Sequence, residues 1–222
     1  MRDLGPNEIF YIVFAVRWTL LLSLIALAGG AAGGLLIALA RTSGVKALNW
    51  PALGFVRLFQ GTPLLMQLFL AFFVPSLFGY NVSALAAAAI GLSLNGAAFL
   101  GEIWRGCIST VPAGQGEAAR ALGFGYWTRT FLIVLPQAYR IAIPPSIGYV
   151  VQLIKGTSLA SIIGFVELTR AAQIINNQTF EPFLIFGLIG AVYFVICWPL
   201  SHLSSRMERR LMTSRGGARA AA

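Results

Sequence analysis

Three amide side chains stand near the middle of long uncharged stretches of the sequence. Gln67 and Asn95 lie between Arg57 and Glu102, and Gln152 lies shortly before Lys155. An amide both donates and accepts hydrogen bonds, so three of them at one depth could hold a small zwitterionic solute. The alternative is that each amide bonds a neighbouring helix, a common use of Asn and Gln in membrane bundles. Position along the chain leaves both interpretations open.

Lys155 follows Gln152 by three residues, a spacing that places both side chains on one face of a helix. Its ammonium group could then meet the carboxylate of a bound solute. The alternative is that the long side chain reaches the outer headgroups of a bilayer. Both interpretations place Lys155 within or beside a membrane.

The composition limits the elements that carry these residues. Of 222 residues, 58% are hydrophobic and 10% are charged, whereas a soluble domain carries about 25% charge. Two cysteines are too few for a disulfide scaffold. The chain is therefore predicted to be a membrane protein, and the net charge of +9 does not indicate a nucleic-acid partner because the basic residues lie between apolar runs.

Five stretches are long and apolar enough to cross a bilayer, which takes about 20 residues. The predicted fold is an all-α polytopic membrane helix bundle with one membrane domain, residues 18–208. An external N-terminal segment, 1–17, precedes it, and a basic cytoplasmic tail, 209–222, follows it. The predicted spans are 18–40, 58–78, 83–104, 139–163 and 182–205.

The distribution of Lys and Arg predicts the orientation. Twelve of the sixteen basic residues fall in two loops, 41–57 and 102–140, and in the segment after residue 205. Positive charge concentrates in short cytoplasmic segments. We therefore expect an external N-terminus and a cytoplasmic C-terminus.

The longest predicted cytoplasmic segment, 106–136, contains an ordered motif. It reads Glu117-Ala118-Ala119, three residues, Gly123, nine residues, Ile133, one residue, then Leu135-Pro136. The pattern predicts two short helices. Ser109 or Thr110 would cap the first helix and Gly123 would end it, and Pro136 would stop the second helix before span four.

This motif resembles the EAA loop of permease subunits from binding-protein-dependent ABC importers. The resemblance implies that Glu117 to Pro136 form coupling helices between spans three and four that dock on an ATPase. The residues assigned to coupling are Glu117, Ala118, Ala119, Gly123, Ile133, Leu135 and Pro136. The alternative is an ordinary amphipathic hairpin at the membrane interface.

Within that family, further strings resemble the polar amino acid branch. They are residues 61–65, 93–98, 102–106 and 157–161, the last beginning with Thr157-Ser158. We expect Thr157 and Ser158 to belong to the substrate pathway with Gln67, Asn95, Gln152 and Lys155. Two departures are Gln60, where that branch usually has Arg, and Gly156, where it commonly has Asp. Lacking an adjacent acid, Lys155 would favour a neutral or acidic amino acid.

A short amphipathic helix is predicted on the outer side after span four, because Leu168, Ala171, Ala172 and Ile175 share one helical face. The family places a gate and binding-protein contacts there. Glu167, Arg170 and Glu181 are the charged residues assigned to docking or to the gate. The alternative is that these charges are only solvated.

The resemblance implies a transport subunit of the bacterial inner membrane that imports a polar amino acid. We expect no catalytic residue, no metal site and no cofactor on this chain, since the sequence lacks a phosphate-binding loop. ATP and Mg²⁺ would bind the partner. The expected partners are two ATPase subunits, a second identical or homologous permease, a periplasmic or lipid-anchored binding protein and the lipid bilayer. The alternatives are an ion-driven secondary transporter, or an ABC permease for another small solute such as an opine.

Overall fold

A computed structural model describes the backbone of residues 5–220 and the side chains of residues 5–211. All regular elements in this range are helical. The α helices are α1 Pro6–Thr42, α2 Lys46–Gly61, α3 Leu64–Leu77, α4 Ala84–Ser109, α5 Ala113–Ala121, α6 Tyr126–Arg129, α7 Leu135–Gly156, α8 Leu168–Thr179 and α9 Pro182–Ala220. A π turn, Thr130–Val134, joins α6 to α7, and a 3₁₀ helix, Thr157–Ile163, follows α7.

Four helical segments are long and apolar enough to cross a membrane by themselves. They are α1, α4, the continuous run from Tyr126 to Ile163, and α9 through Leu211. Helices α2 and α3 reach that length only together, and they bend by 105° at their junction. The chain is therefore a multi-pass membrane protein with four or five crossings.

The first helix begins earlier than predicted. The first span was predicted to begin at residue 18, and α1 already starts at Pro6, so residues 6–17 of the segment expected to be external are helical. Proline suits the first helical turn because its fixed φ matches the helix, and the Glu8 carboxylate accepts a hydrogen bond from the Gly5 N–H. Residues 1–4 lie outside the described part.

The second predicted span, 58–78, is not one straight helix. Thr62 is extended, with φ −116° and ψ 145°, because the residue before a proline is driven away from the helical region. Pro63 then begins the next helix as its N-cap. The prediction of a continuous span was wrong because it weighed the lack of charge and not the Thr62-Pro63 pair.

Glycines set the contact between α1 and α4. A Cβ on Gly30 would lie 3.1 Å from the Cα of Gly96, and a Cβ on Gly34 would lie 3.0 Å from the backbone N of Gly101. Small residues allow two helices to approach at backbone distance. This contact fixes α4, which carries Asn95, against the first helix.

Pro136 does not stop the second loop helix, which corrects the prediction made above. The Leu135 N–H donates to the carbonyl of Thr130, five residues back, and the chain continues as α7. A π turn widens the helix and shifts its hydrogen-bond register, which accommodates a residue that has no N–H. The coupling loop therefore runs into span four without a break.

Candidate functional site

A small polar pocket lies where the α2–α3 junction meets α4 and α7. Its volume is about 180 Å³, and its lining is Thr62, Leu64, Asn95, Phe99, Tyr149, Gln152 and Leu153. Asn95 and Gln152, two of the three predicted amides, therefore reach one cavity. Both face it from helices that are otherwise mostly apolar.

Tyr149 and Thr62 are pocket residues that the sequence analysis missed. Tyr149 lies three residues before Gln152, so helical spacing alone places both on one face. Its ring stacks on Phe99 with centroids 5.8 Å apart. Thr62 is drawn in by the bend that its neighbour Pro63 produces.

Gln67 does not line the pocket. It is buried, and its Nε2 donates to the carbonyls of Phe59 at 2.7 Å and Thr62 at 3.1 Å, and to Thr62 Oγ1 at 2.9 Å. The last carbonyls of a helix have no partner within it. Gln67 therefore caps the C-terminal end of α2 from within α3, which favours the packing alternative for this amide.

Asn95 connects this cap to the pocket. Its Nδ2 donates to Gln67 Oε1 at 3.0 Å, and the Tyr149 hydroxyl donates to Asn95 Oδ1 at 3.4 Å. Asn95 and Tyr149 are both buried. The pocket wall is thus joined by hydrogen bonds to the junction between α2 and α3.

Besides Gln67, three more of the predicted pathway residues are not brought into the pocket. Lys155 is exposed and absent from the lining. Thr157 is fully buried and its hydroxyl donates to the Ile154 carbonyl, while the Ser158 hydroxyl donates to the Lys155 carbonyl. Both hydroxyls are satisfied by their own helical turn.

Gly156 lies against the pocket wall. A Cβ at this position would be 3.2 Å from Leu64 Cδ2, closer than a relaxed carbon–carbon contact. Leu64 lines the pocket. Any side chain at position 156 would therefore press on that wall.

A larger cavity of about 760 Å³ lies between α1, α4 and α7. Its lining is almost entirely apolar, with Ser146 as one of its few polar contributors, and the Trp104 Nε1 donates to that hydroxyl at 2.9 Å. Binding sites for polar ligands need placed polar groups as well as volume. The smaller pocket is therefore the better candidate for a polar solute.

An ionic cluster joins three helices at the end of α1. The Arg41 guanidinium donates to Asn49 Oδ1 and lies 3.7 Å from the Glu102 carboxylate, which also accepts two hydrogen bonds from Arg105. Such a cluster fixes α1, α2 and α4 relative to one another. Sequence reasoning missed it, because residues 61 apart give no local signal.

Helix α5 carries the Glu-Ala-Ala part of the coupling motif. Glu117 and Ala118 are exposed, whereas Ala119 is buried. Gly123 has φ +79°, and hydrogen bonds from Gly123 to Arg120 and from Phe124 to Ala119 close the helix end. This is a Schellman arrangement, for which glycine is the usual residue. The prediction that Gly123 ends the helix is confirmed.

The start of α5 differs from the prediction. Ser109 belongs to α4 and the Thr110 hydroxyl donates back to the Gly106 carbonyl, so neither residue caps α5. Pro112 takes the N-cap position instead. A hydroxyl already bonded to the preceding helix is not free to cap the next one.

A cleft of about 290 Å³ lies under α5, and Glu117, Arg120 and Arg129 contribute to its lining. The end of the motif lies further along the chain. Ile133 is in the π turn, and Leu135 and Pro136 are the first residues of α7. The motif therefore spans an exposed helix and the root of a membrane helix.

Glu167 is buried, which corrects its assignment as a docking residue. Its carboxylate accepts hydrogen bonds from the Thr169 and Arg170 N–H groups, capping α8, and from the Tyr193 hydroxyl at 2.9 Å. Burial raises the pKa of this carboxyl, and these donors lower it in part. A side chain that is 0% exposed cannot pair with an external protein.

The other two charges of this region remain accessible. Arg170 is partly buried and its guanidinium donates to Gln173 on the same helix. Glu181 directly precedes α9 and is partly exposed. Helix α8 itself buries Leu168, Ala171, Ala172 and Ile175, as the amphipathic pattern predicted.

A bundle of membrane helices that encloses a small polar pocket defines the class: a multi-pass membrane protein with room for a small solute. The chain belongs to the family of binding-protein-dependent transport system inner membrane components, whose model matches residues 30–212. The predicted resemblance is thereby confirmed. Members of this family are permease subunits of ABC importers, so the chain is a transport subunit and ATP hydrolysis occurs in a partner.

The chain is similar to individual proteins over most of its length. It is 41% identical over 200 residues to the probable amino-acid ABC transporter permease protein YckA of Bacillus subtilis (strain 168), covering 90% of this chain and 88% of YckA. It is 38% identical over 197 residues to the L-cystine transport system permease protein TcyB of the same organism, covering 88% and 84%.

A solved structure has the same fold. A crystal structure of an amino acid ABC transporter with histidines matches 95% of this chain and 100% of its own, with a TM-score of 0.85 and 33% sequence identity. The similarity therefore extends over nearly the whole chain.

Proposed function

We propose that this chain forms the translocation pathway of an ATP-driven importer for a polar amino acid. The observation that carries the proposal is the pocket containing Asn95, Tyr149 and Gln152 within an apolar bundle. Polar groups inside a membrane are costly unless they face a partner or a cavity. The relatives named for amino-acid and L-cystine transport support the same class of solute.

The chemistry of the pocket does not favour a small solute with a net positive charge. Its lining has two amides, one phenol and one hydroxyl but no ionised side chain. Such groups match a zwitterion, whose charged ends need hydrogen-bond acceptors and donors together. Because Gly156 supplies no acid near Leu64, we expect a neutral or acidic amino acid rather than arginine or lysine.

The proposed orientation places the N-terminus outside and the C-terminus in the cytoplasm of a bacterial inner membrane. The twelve basic residues of the two loops and the C-terminal segment support it. Helix α8 then faces the outside, where a periplasmic or lipid-anchored binding protein delivers the amino acid. Arg170 and Glu181 remain the charged candidates for that contact.

Coupling to ATP is proposed to pass through α5. Its exposed Glu117 and Ala118 are available to a partner, while buried Ala119 and the Schellman end hold the helix against the π turn. Two ATPase subunits would bind ATP and Mg²⁺ and move α5. Because α5 packs against the π turn, which belongs to a continuous helical run from Tyr126 to Ile163, its motion would reach Tyr149 and Gln152. A second permease, identical or homologous, would complete the pathway.

The test of the substrate class is uptake in cells that carry or lack this chain, with its own ATPase and binding protein. Labelled glutamate, glutamine, aspartate, cystine, histidine and arginine are each measured with and without a protonophore. Loss of uptake of one neutral or acidic amino acid, resistant to the protonophore, is expected. Loss of arginine uptake alone would overturn the charge argument, and no change for any amino acid would overturn the substrate class.

The test of coupling is Glu117→Lys, with Glu208→Lys on the exposed part of α9 as the matched control. We expect Glu117→Lys to abolish uptake while the chain still inserts and the ATPase stays active, because the substitution reverses the charge that the docking surface meets. The control should retain uptake. Normal uptake by Glu117→Lys would overturn the assignment of α5.

A further inference from the structure

The Gln67 amide has only one orientation that satisfies its neighbours. Its Nε2 lies within 3.1 Å of two backbone carbonyls, those of Phe59 and Thr62, at the end of α2. Carbonyl oxygens only accept hydrogen bonds, so the amide must turn its NH₂ group toward them. Its Oε1 must then face Asn95.

The orientation of the Gln67 amide determines that of the Asn95 amide. Since Gln67 Oε1 can only accept, Asn95 must offer its Nδ2, and the two atoms are 3.0 Å apart. Asn95 therefore turns Oδ1 away from Gln67, toward the Tyr149 hydroxyl at 3.4 Å. Both side chains are more than nine-tenths buried, so their polar groups depend mainly on these partners.

From this chain of donors and acceptors we propose that Gln67 is a positioning residue, which holds Asn95 Oδ1 toward the solute pocket. The inference rests on the proposed function. Tyr149 donates its only hydrogen to Oδ1, so its oxygen, like the remaining lone pair of Oδ1, is left as an acceptor. This end of the pocket therefore offers two acceptors beside the second Nδ2 hydrogen of Asn95, and it favours the ammonium group of the amino acid, which only donates.

Gln152 completes the assignment at the other end. It lines the pocket from the same helix face as Tyr149 and is exposed to the cavity side. Its amide can rotate to donate or to accept, and it is therefore suited to the carboxylate or to a polar side chain of the solute. Asn95, whose orientation is fixed, would therefore bind the ammonium group, and Gln152, which can rotate, would bind the carboxylate or the side chain of the solute.

The experiment uses the purified complex of this chain with its ATPase in nanodiscs, without binding protein. The probe is the labelled L-amino acid that the uptake panel selects, and the competitor is the 2-hydroxy acid with the same side chain. A hydroxyl donates and accepts, whereas an ammonium group only donates. The wild-type complex is expected to prefer the amino acid by about ten-fold or more, as hydrogen bonds to a charged group allow.

Two variants separate positioning from simple structural support. Gln67→Met removes both roles of the amide and lets Asn95 turn, so the preference should fall to about two-fold. Gln67→Glu keeps an oxygen that accepts from Asn95, and its protonated form, which burial favours, keeps a donor toward the α2 carbonyls. Most of the preference should therefore remain even where the amount of folded complex drops. Gln60→Met is the control, since Gln60 also donates to a carbonyl, that of Ala98, but is outside this chain of bonds.

An unchanged preference in Gln67→Met, or an equal loss in Gln67→Met and Gln67→Glu, would overturn the positioning role. If Gln67→Met yields no complex, Gln67→Glu alone decides: a retained preference supports the role and a lost one overturns it. Failure of the wild-type complex to bind any amino acid would instead overturn the proposed function, and this inference with it.

Discussion

At one proline junction of this protein the helix breaks, and at another it continues. At Thr62-Pro63 the chain turns by 105° and a new helix starts, whereas at Leu135-Pro136 the helix continues through a π turn. Each junction has a glutamine nearby that donates to a backbone carbonyl: Gln67 to those of Phe59 and Thr62, and Gln137 to that of Ile133 at 2.8 Å. Gln67 joins the end of α2 to Asn95 on α4, whereas Gln137 bonds only a carbonyl of the preceding turn.

The difference shows that the missing proline N–H does not by itself decide whether a helix breaks. At the first junction, Thr62 is extended and the freed carbonyls of α2 are capped by a buried side chain from α3. At the second, the hydrogen-bond register shifts by one residue and the ladder resumes. The capped break forms a pocket wall, and the continuous junction is the proposed route for movement from the coupling loop.

The largest expected effect is on the stability of the first junction. Gln67→Leu removes the partner of the buried Asn95 amide and of the Phe59 and Thr62 carbonyls at the end of α2, and a buried group left without a partner costs about 1–3 kcal/mol. We expect the apparent melting midpoint of the purified complex to fall by about 8 °C or more. Gln60→Leu serves as the control. An equal fall in the two variants would contradict the special role of the buried cap.

The next effect concerns transport rather than stability. Pro136→Ala restores an N–H and lets the π turn relax to α geometry, which rotates α6 by about 100° relative to α7. Uptake in proteoliposomes should fall about ten-fold while the melting midpoint stays the same or rises. Pro145→Ala, within the regular part of α7, should leave uptake unchanged; if Pro136→Ala does so too, the junction does not transmit coupling.

A smaller effect is expected from Thr62→Val. It removes one of the three acceptors of the Gln67 Nε2 and the hydrogen bond from the Thr62 hydroxyl to the Leu58 carbonyl. The two backbone acceptors remain, so the cost should be about 1 kcal/mol, or 2–4 °C in the melting midpoint. A loss as large as that of Gln67→Leu would mean that the threonine, not the glutamine, holds the break.

The smallest effect is expected from Gln137→Leu. This side chain is only partly buried and bonds a single carbonyl, which water or lipid headgroups can satisfy at the N-terminal end of α7. The melting midpoint should change by less than about 2 °C, as for most exposed substitutions. A larger fall would remove the contrast between the two junctions.

Much of the helical architecture was predictable from local signals. The long uncharged stretches indicated the membrane helices. Gly123, which can adopt a positive φ, marked the end of α5, and the motif from Glu117 to Pro136 indicated the family. The two junctions were interpreted the wrong way round, because lack of charge was read as continuity near Thr62 and proline was read as a stop at Pro136. Only the hydrogen-bond partners, some of them distant, decide between these outcomes.

The site was predicted in part for the same reason. Asn95 and Gln152 were identified because a polar group in an apolar stretch is costly and needs a purpose. Gln67 met that criterion equally well, yet it caps α2, and Glu167 was assigned to the surface although it is buried as a cap of α8. A single polar residue in the sequence does not reveal whether its partner is protein or solute.

By itself the sequence determined that this protein lies in a membrane, which way its basic loops are expected to face, and which family it belongs to, because charge, length and motif spacing are local properties. The tertiary structure decided which polar side chains share the pocket and which way their amides point. Those outcomes depend on atoms brought together from α2, α3, α4 and α7, and hydrogen-bond geometry between distant residues exists only after the helices have packed.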